Sequence, residues 1–375
     1  MTTRTDVDVL VVGAGFAGAV MAERLAEGYG LSCLVLDRRD HLAGNAHDTT
    51  DAAGVLVHRY GPHWFRTNSD RVRDYLSHFT EWHPVTYRAL SWTAGRYWSF
   101  PINLETYEQL VGRPATSEEM AAALESWRVP CARPRNSEEL VLSQVGPVLY
   151  EKFYLGYTMK QWRRHPRELH PSVCGRIPVR TDRDDRYLTE SFQALPARGY
   201  TALFERLLRH PKIEVRLGAE WRDVARAVRY RHLVYTGRLD DFYEERFGPL
   251  PYRSLRWEHE TLPQEWFQPA MQVNFPNDHA FTRILEYKHA TGQVLPVTTI
   301  AREYPDDWRP GKDPFYAMPT PEAQALFAQY AALAEREAHV SFVGRLPTYT
   351  NYNMDQVVGM ALAEADRVGP GLVCP

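Results

Sequence analysis

Cysteine is sparse in this chain. Its 375 residues hold four, Cys33, Cys131, Cys174 and Cys374, far apart and without a CxxC pair. That spacing argues against a structural zinc site and a disulfide framework, and no bound metal is expected. Net charge is also small, with 44 Lys plus Arg against 47 Asp plus Glu and a formal balance of -3. Neither polymeric nucleic acid nor an anionic membrane is indicated as a partner. No apolar run is long enough to span a bilayer, and no charged-then-apolar leader precedes the first strand, so a cytoplasmic protein is expected. No Ser/His/Asp or Cys/His nucleophile stands out. What is abundant is apolar and aromatic: 44% hydrophobic residues, 21 Tyr and 10 Trp, enough for sizeable cores and for rings that stack on bases or sugars.

Local patterns predict elements in a definite order. VDVLVVG (residues 7–13) reads as a buried parallel strand, 16–27 as a helix and LSCLVLD (31–37) as a second buried strand, together a βαβ unit. A strand is expected at 54–60 and a helix at 68–80 with Asn68 as N-cap. A hairpin is expected over 86–102, turning at 93–96. From 104 to 170 the character is helical, with starts at Thr116-Ser117-Glu118-Glu119 and Ser137-Glu138-Glu139. Then follow a helix at 199–209, strands at 212–217 and 232–237, antiparallel alternation over 251–303, an amphipathic helix at 320–337, a strand at 340–344 and a last helix at 353–366.

Gly13-Ala14-Gly15-Phe16-Ala17-Gly18 is GxGxxG between a buried strand and a helix, and Asp37 ends the next strand. Glycines there permit a tight turn and close approach to a pyrophosphate. The helix N-terminus supplies N–H groups, and Asp37 can accept from ribose hydroxyls. An acid at that strand end disfavours a 2′-phosphate. The motif alone leaves NAD and FAD both open.

Further segments carry a resemblance. RRDHLAGNA (38–46) is similar to the RNHIGGNA loop of UDP-galactopyranose mutases, and YGPHWFRTN (60–68) to their YGAHIFHTN. GYTMKQW (156–162), RIPVR (176–180), TRILEYKH (282–289) and REYP (302–305) resemble GYTEKQW, RIPVR, TRIIEHKH and REYP. The resemblance is collinear over almost the whole chain and implies FAD as cofactor. It implies an α/β fold: a discontinuous Rossmann-like FAD-binding domain (1–80, 200–245 and 315–375), a mainly helical insertion (81–180), and a mixed or antiparallel sheet domain for substrate (181–200 with 246–314).

The activity it implies is isomerisation of a nucleotide-diphosphate sugar between pyranose and furanose forms. Flavin N5 of reduced FAD acts as nucleophile at the anomeric carbon, so that the cofactor carries the chemistry and the protein positions it. A homodimer and a loop near 156–180 that closes over substrate are also implied.

Residue by residue, the resemblance places His63 beside the flavin ring and Arg176 and Arg283 as active-site arginines, since a leaving pyrophosphate needs paired cationic donors. Both arginines sit in apolar sequence, so partial burial and an anionic partner are expected of each. Tyr157 and Trp162 match residues of the nucleotide-sugar pocket, with helix-core packing as the rival reading for both. Tyr187 and Tyr316 match phosphate-binding tyrosines, Asn274 a substrate-side asparagine, and Gly344-Arg345 a pair at a strand end facing the flavin and its pyrophosphate. Cofactor contacts are expected from Gly13, Gly15, Phe16, Gly18, Asp37, Arg38, Gly44, Asn45, Arg345, Asn353 and Met354.

The pattern breaks after Arg345. Where the family reads LAEYKYYDM, residues 346–354 read LPTYTNYNM. Tyr349 is retained on the substrate side. Asn351 stands at a phosphate-contacting tyrosine, and Asn353 at an aspartate beside flavin and substrate. A modified sugar–diphosphate site on an intact flavin site follows, with a substrate other than UDP-galactose as one reading. Two other functions share the fingerprint: an FAD-dependent oxidoreductase of the amine-oxidase type, and a non-catalytic nucleotide-sugar binder that keeps its flavin.

Overall fold

The computed structural model describes residues 5–373. Cys374 and the N-terminal residues 1–4, on which part of the leader reading rests, lie outside them. Five strands run parallel in the order Ile213–Leu217, Cys33–Asp37, Val9–Val12, His232–Tyr235, Val340–Phe342. Side chains of a strand alternate between faces, and here both faces are covered. Val9 and Val11 pack with Val20, Met21, Val358 and Ala361 of the helices Phe16–Tyr29 and Met354–Val373. Leu10, Leu34 and Leu36 pack on the opposite face around Tyr235 and Trp221. A strand buried twice must be apolar throughout, which is why these segments are runs and not alternations.

A second sheet has seven strands, in the order Tyr316–Ala317, Tyr252–Leu262, Thr298–Asp307, Arg283–Glu286, Gln272–Asn274, Ala89–Thr93, Arg96–Phe100. All neighbours are antiparallel except Gln272–Asn274 beside Ala89–Thr93. The sheet therefore draws strands from all three expected segments: the 89–100 hairpin joins it, and Tyr316–Ala317 forms its edge. The helices Leu104–Val111, Ser117–Trp127, Ser137–Tyr150 and Gly156–Trp162 close over a separate core of Ile102, Met120, Val141, Val145 and Phe153.

Helix starts agree with the sequence with two adjustments. Thr116 and Glu119 form a capping box, but Asn136 precedes Ser137 as N-cap. Ser69, not Asn68, caps Asp70–Ser77, because the Asn68 carboxamide accepts from Ser191 instead. The last helix runs seven residues beyond the expected 366, to Val373.

Candidate functional site

One cavity of about 2420 Å³ opens at the carboxyl ends of the parallel strands and continues to the seven-stranded sheet. At the sheet end Gly13 turns with φ +106, and a Cβ there would lie 2.0 Å from Thr236 Oγ1, whose hydroxyl donates to Val12 O at 2.7 Å. The turn is thus packed against the next strand. Gly15 differs: a Cβ on it would meet only Gly44 Cα, at 3.7 Å, so this glycine leaves space on the cavity side.

Helix Phe16–Tyr29 starts with no side-chain cap and no acid in its first turn. Its leading N–H groups are available to an anion. Asp37 Oδ2 accepts from Ala14 N at 2.8 Å and Oδ1 from Arg39 N at 2.9 Å, which fixes the carboxylate at the strand end. An open glycine cradle, an uncapped helix and a positioned acid fit the pyrophosphate and ribose of FAD.

Flanking residues have more specific duties than expected. Arg38 and Arg39 both pair with Asp313, and Arg39 donates to Asn45 Oδ1 at 2.9 Å. They clasp the second glycine loop to the segment before Tyr316. The Phe16 ring is buried, edge-on to Phe204 at 4.7 Å, so it packs into the fold at the start of the helix. Gly18 packs behind the turn: a Cβ there would lie 1.9 Å from Gly13 O.

His63 lines the cavity beyond the Gly61-Pro62 turn. Its Nδ1 lies 2.9 Å from Gly61 O, a tautomer in which Nε2 is the acceptor. Burial and the neighbouring His58 push its pKa down to about 3, so the ring is neutral at ordinary pH.

The arginines divide by charge balance. Register places Arg283 opposite Glu303, and Nε donates to Glu303 Oε2 at 2.8 Å. Burial works against the guanidinium charge, but Glu303 and the phenols of Tyr157, Tyr316 and Tyr87 outweigh it and hold the pKa well above the ordinary value. Arg283 therefore brings its own anion. Arg176 is exposed, correcting the expectation of burial: it sits at the end of the short helix Ser172–Gly175 on the cavity rim.

Arg345 donates to Phe315 O at 2.9 Å, lies 5.7 Å from the Tyr316 ring centre, and has its pKa lowered by burial. Among the described residues neither Arg176 nor Arg345 meets a carboxylate. Arg176 and Arg345 thus stand in the cavity without a protein anion, as does Arg167, whereas Arg283, the other arginine that the resemblance singles out, is paired with Glu303.

Several expected ligand contacts are internal. Asn351 accepts from Ala317 N at 3.0 Å and donates to Ala317 O at 3.1 Å. Tyr349 is 2% exposed, and its hydroxyl donates to Pro251 O and accepts from Met318 N. Asn274 does not reach the cavity wall. Its oxygen accepts from Gln272 Nε2 at 2.8 Å, and Gln272 in turn accepts from Arg283 at 3.3 Å. Tyr157 likewise stands behind the wall, close enough to act on the Arg283 charge. Asn274 and Tyr157 thus support the site from behind, while Asn351 and Tyr349 line the cavity with these polar groups engaged within the protein.

Tyr187, Tyr316, Trp162 and Met354 line it as well. The Trp162 ring is also buried against Tyr316 at 5.8 Å between centres, so its two readings coexist. Asn353 lines the cavity too, and its oxygen accepts from Arg66 Nη2 at 2.9 Å. Arg66 and Glu303 went unnoticed in sequence, although the YGPHWFRTN and REYP segments contain them.

Residues 152–351 match the family model described as UDP-galactopyranose mutase, and 11–79 match an NAD(P)-binding Rossmann-like domain. A probable UDP-galactopyranose mutase of Klebsiella pneumoniae is 36% identical over 363 residues, covering 96% of this chain and 94% of that one. A dTDP-fucopyranose mutase of Escherichia coli is 33% identical over 368 residues, covering 94% and 96%. Among solved structures, a reduced UDP-galactopyranose mutase superposes with TM-score 0.77 at 16% identity over 98% of this chain and 96% of that one. A putrescine oxidase variant superposes with TM-score 0.62 at 14% identity, covering 97% and 99%, a likeness of fold. Cradle, cavity and relatives aligned nearly end to end agree that this chain belongs to the UDP-galactopyranose mutase family, as an FAD-dependent isomerase of nucleotide sugars.

Proposed function

We propose that the enzyme interconverts the pyranose and furanose forms of a nucleotide-diphosphate hexose, UDP-galactose or a related sugar, with its FAD reduced. The observation that carries this reading is the continuity of the cavity, which joins the glycine cradle to Arg176, Arg345, Tyr187 and Tyr316 in one space. When bound, reduced FAD would supply a nucleophilic N5 to the anomeric carbon. The chain's own part is to hold a diphosphate that must leave and return. Arg176 and Arg345 provide charge that no protein carboxylate cancels, and the Tyr187 and Tyr316 hydroxyls add neutral donors. Neutral His63 offers an acceptor beside the cofactor. The Arg283–Glu303 pair is charge-balanced, which suits it to orient and not to capture. That relatives act on a UDP sugar and a dTDP sugar by name supports variation of base and sugar on this frame. By the same family reading, the enzyme works as a homodimer in the cytoplasm, and no helix among the described residues is long and apolar enough to cross a membrane.

The test is pyranose–furanose exchange, followed by chromatography, on a panel of nucleotide sugars with and without dithionite. Exchange only after reduction is expected. Flavin bleaching by a substrate in the oxidised protein, with oxygen consumed and no exchange, would replace the reading with an oxidase. Tight binding of nucleotide sugar without turnover would replace it with a binder.

A further inference from the structure

Helix Gly156–Trp162 serves the site at both ends. Trp162 lines the cavity, and Tyr157 acts on the Arg283 charge from behind the wall. One ammonium group ties this helix to the seven-stranded sheet. Lys160 Nζ donates to the backbone oxygens of Phe275, Asp278, His279 and Phe281, the last three at 3.1, 3.2 and 3.1 Å. All four belong to the turn between the strands Gln272–Asn274 and Arg283–Glu286. The turn therefore folds around the lysine, beginning just after Asn274 and leading through Thr282 into Arg283.

A second contact shows how closely helix and turn are fitted. Gly156 lies one helical turn before Lys160, on the same face. A Cβ there would stand 2.5 Å from Pro276 O and 2.6 Å from Asn277 Oδ1. Asn277 Nδ2 in turn donates to Thr93 Oγ1 at 2.9 Å and Lys152 O at 3.0 Å. At the other end of the helix, Arg253 Nε donates to Gln161 O at 3.0 Å.

The cage around Lys160 needs a cation. An ammonium has three protons, and four carbonyl oxygens converge on it, so the contact is ion–dipole as well as hydrogen bond. The same oxygens, brought together without a positive charge between them, would repel one another. Burial lowers the pKa of Lys160 to about 8, which leaves the group charged in most molecules at pH 7. Lys160 does not reach the cavity, and the glycine cradle stands on the other sheet. Loss of the charge should thus disturb the wall that holds Arg283 and Trp162 while sparing the cradle.

We propose that Lys160 is a positioning residue for the diphosphate of the nucleotide sugar: its ammonium, caged by four backbone carbonyls, sets the helix of Tyr157 and Trp162 against the strand of Arg283. The proposal rests on the nucleotide-sugar reading above and adds a residue that acts on that site without touching it.

The test uses the FAD-loaded, oxidised enzyme at pH 7, with UDP affinity read by displacement of a fluorescent UDP derivative. Lys160→Met keeps the length of the side chain and loses the charge. It should hold FAD within twofold of the parent and bind UDP ten or more times more weakly. Lys160→Gln, which keeps two N–H donors, should fall between the two, and is read on the same scale if Lys160→Met does not fold. In Lys160→Ala, propylammonium chloride should restore UDP affinity in a saturable way, whereas tetramethylammonium, which has no N–H group, should not. UDP affinity within twofold of the parent in folded Lys160→Met would overturn the proposal. So would equal losses of FAD and UDP, which would mark a defect of the whole fold, or equal effects of the two ammonium salts. A parent enzyme that binds UDP but shows no pyranose–furanose exchange under dithionite would instead remove the mutase reading, and the Lys160 effect on UDP would stand without it.

Discussion

Asn351 behaves toward Ala317 as a neighbouring strand would. Its carboxamide accepts from Ala317 N at 3.0 Å and donates to Ala317 O at 3.1 Å, closing the open edge of the seven-stranded sheet at the residue after Tyr316. The same oxygen lies 3.4 Å from Arg345 Nη2. One side chain thus sets the strand that carries Tyr316 and touches Arg345, two residues of the proposed diphosphate site. Asn351→Ala should leave both polar groups of a backbone that is 6% exposed without partners, at a cost of about 1–3 kcal/mol. The denaturation midpoint should fall, and UDP should bind about tenfold more weakly, by roughly 1.4 kcal/mol. Asn351→Asp should lose more UDP affinity than Ala, because its carboxylate would occupy Arg345. Equal losses would show that Arg345 does not meet the diphosphate.

The Arg283–Glu303 pair predicts a coupling between stability and ligand. Glu303 is fully buried, and Glu303→Gln removes the charge that balances a guanidinium in the cavity wall. Breaking such a pair from one side costs about 3–5 kcal/mol. A bound diphosphate would replace part of the lost anion. Thermal unfolding of Glu303→Gln should therefore begin from a lower midpoint and rise further on addition of UDP than the parent does. A smaller rise would place Arg283 away from the phosphates.

Local chemistry made much of this legible in sequence. The βαβ unit, the glycine turn, the Thr116 capping box and the 89–100 hairpin each depend on residues a few positions apart. What escaped were relations between distant segments. Arg66 meets Glu190 and Asn353 across 124 and 287 residues, so nothing near either end announces the bridge. Arg283 meets Glu303 through strand register, which a motif does not display. Asn351 looked like a lost phosphate contact because only its position in a motif was visible, and its partner is a backbone 34 residues away. Arg176 looked buried because its neighbours are apolar, but they follow a four-residue helix at the cavity rim that turns this side chain outward.

Histidine burial predicts the acid limb of stability. His58 is 1% exposed, and burial pushes its pKa from 6.5 down to about 3. In the unfolded chain it would titrate at the ordinary value, so between those two values the unfolded state binds the extra proton. Stability from this group is complete above the unfolded value and falls as pH drops below it, by about 2 kcal/mol at pH 5. His63 acts in the same direction. Urea denaturation at pH 7.5 and pH 5 should show the loss, and His58→Gln should reduce it. An unchanged difference between the two pH values in that variant would assign the acid limb to other groups.

The two glycines of the cradle separate folding from cofactor binding. Gly13→Ala would put a Cβ 2.0 Å from Thr236 Oγ1 at a φ of +106, so strain and overlap both fall on the strand packing. That variant should be poorly soluble or unfold well below the parent. Gly15→Ala meets nothing closer than Gly44 Cα at 3.7 Å, and its backbone, at φ -83, suits any residue. The apoprotein should therefore keep its circular dichroism and its denaturation midpoint. The added methyl would still stand where a pyrophosphate must approach the helix N-terminus, so flavin retained through purification should fall at least tenfold, a loss of about 1.4 kcal/mol or more. Flavin absorbance per mole of folded protein measures this directly. A Gly15→Ala protein that keeps full flavin would mean that the cofactor's phosphates lie away from this helix, and the cradle would have to be sought elsewhere along the cavity.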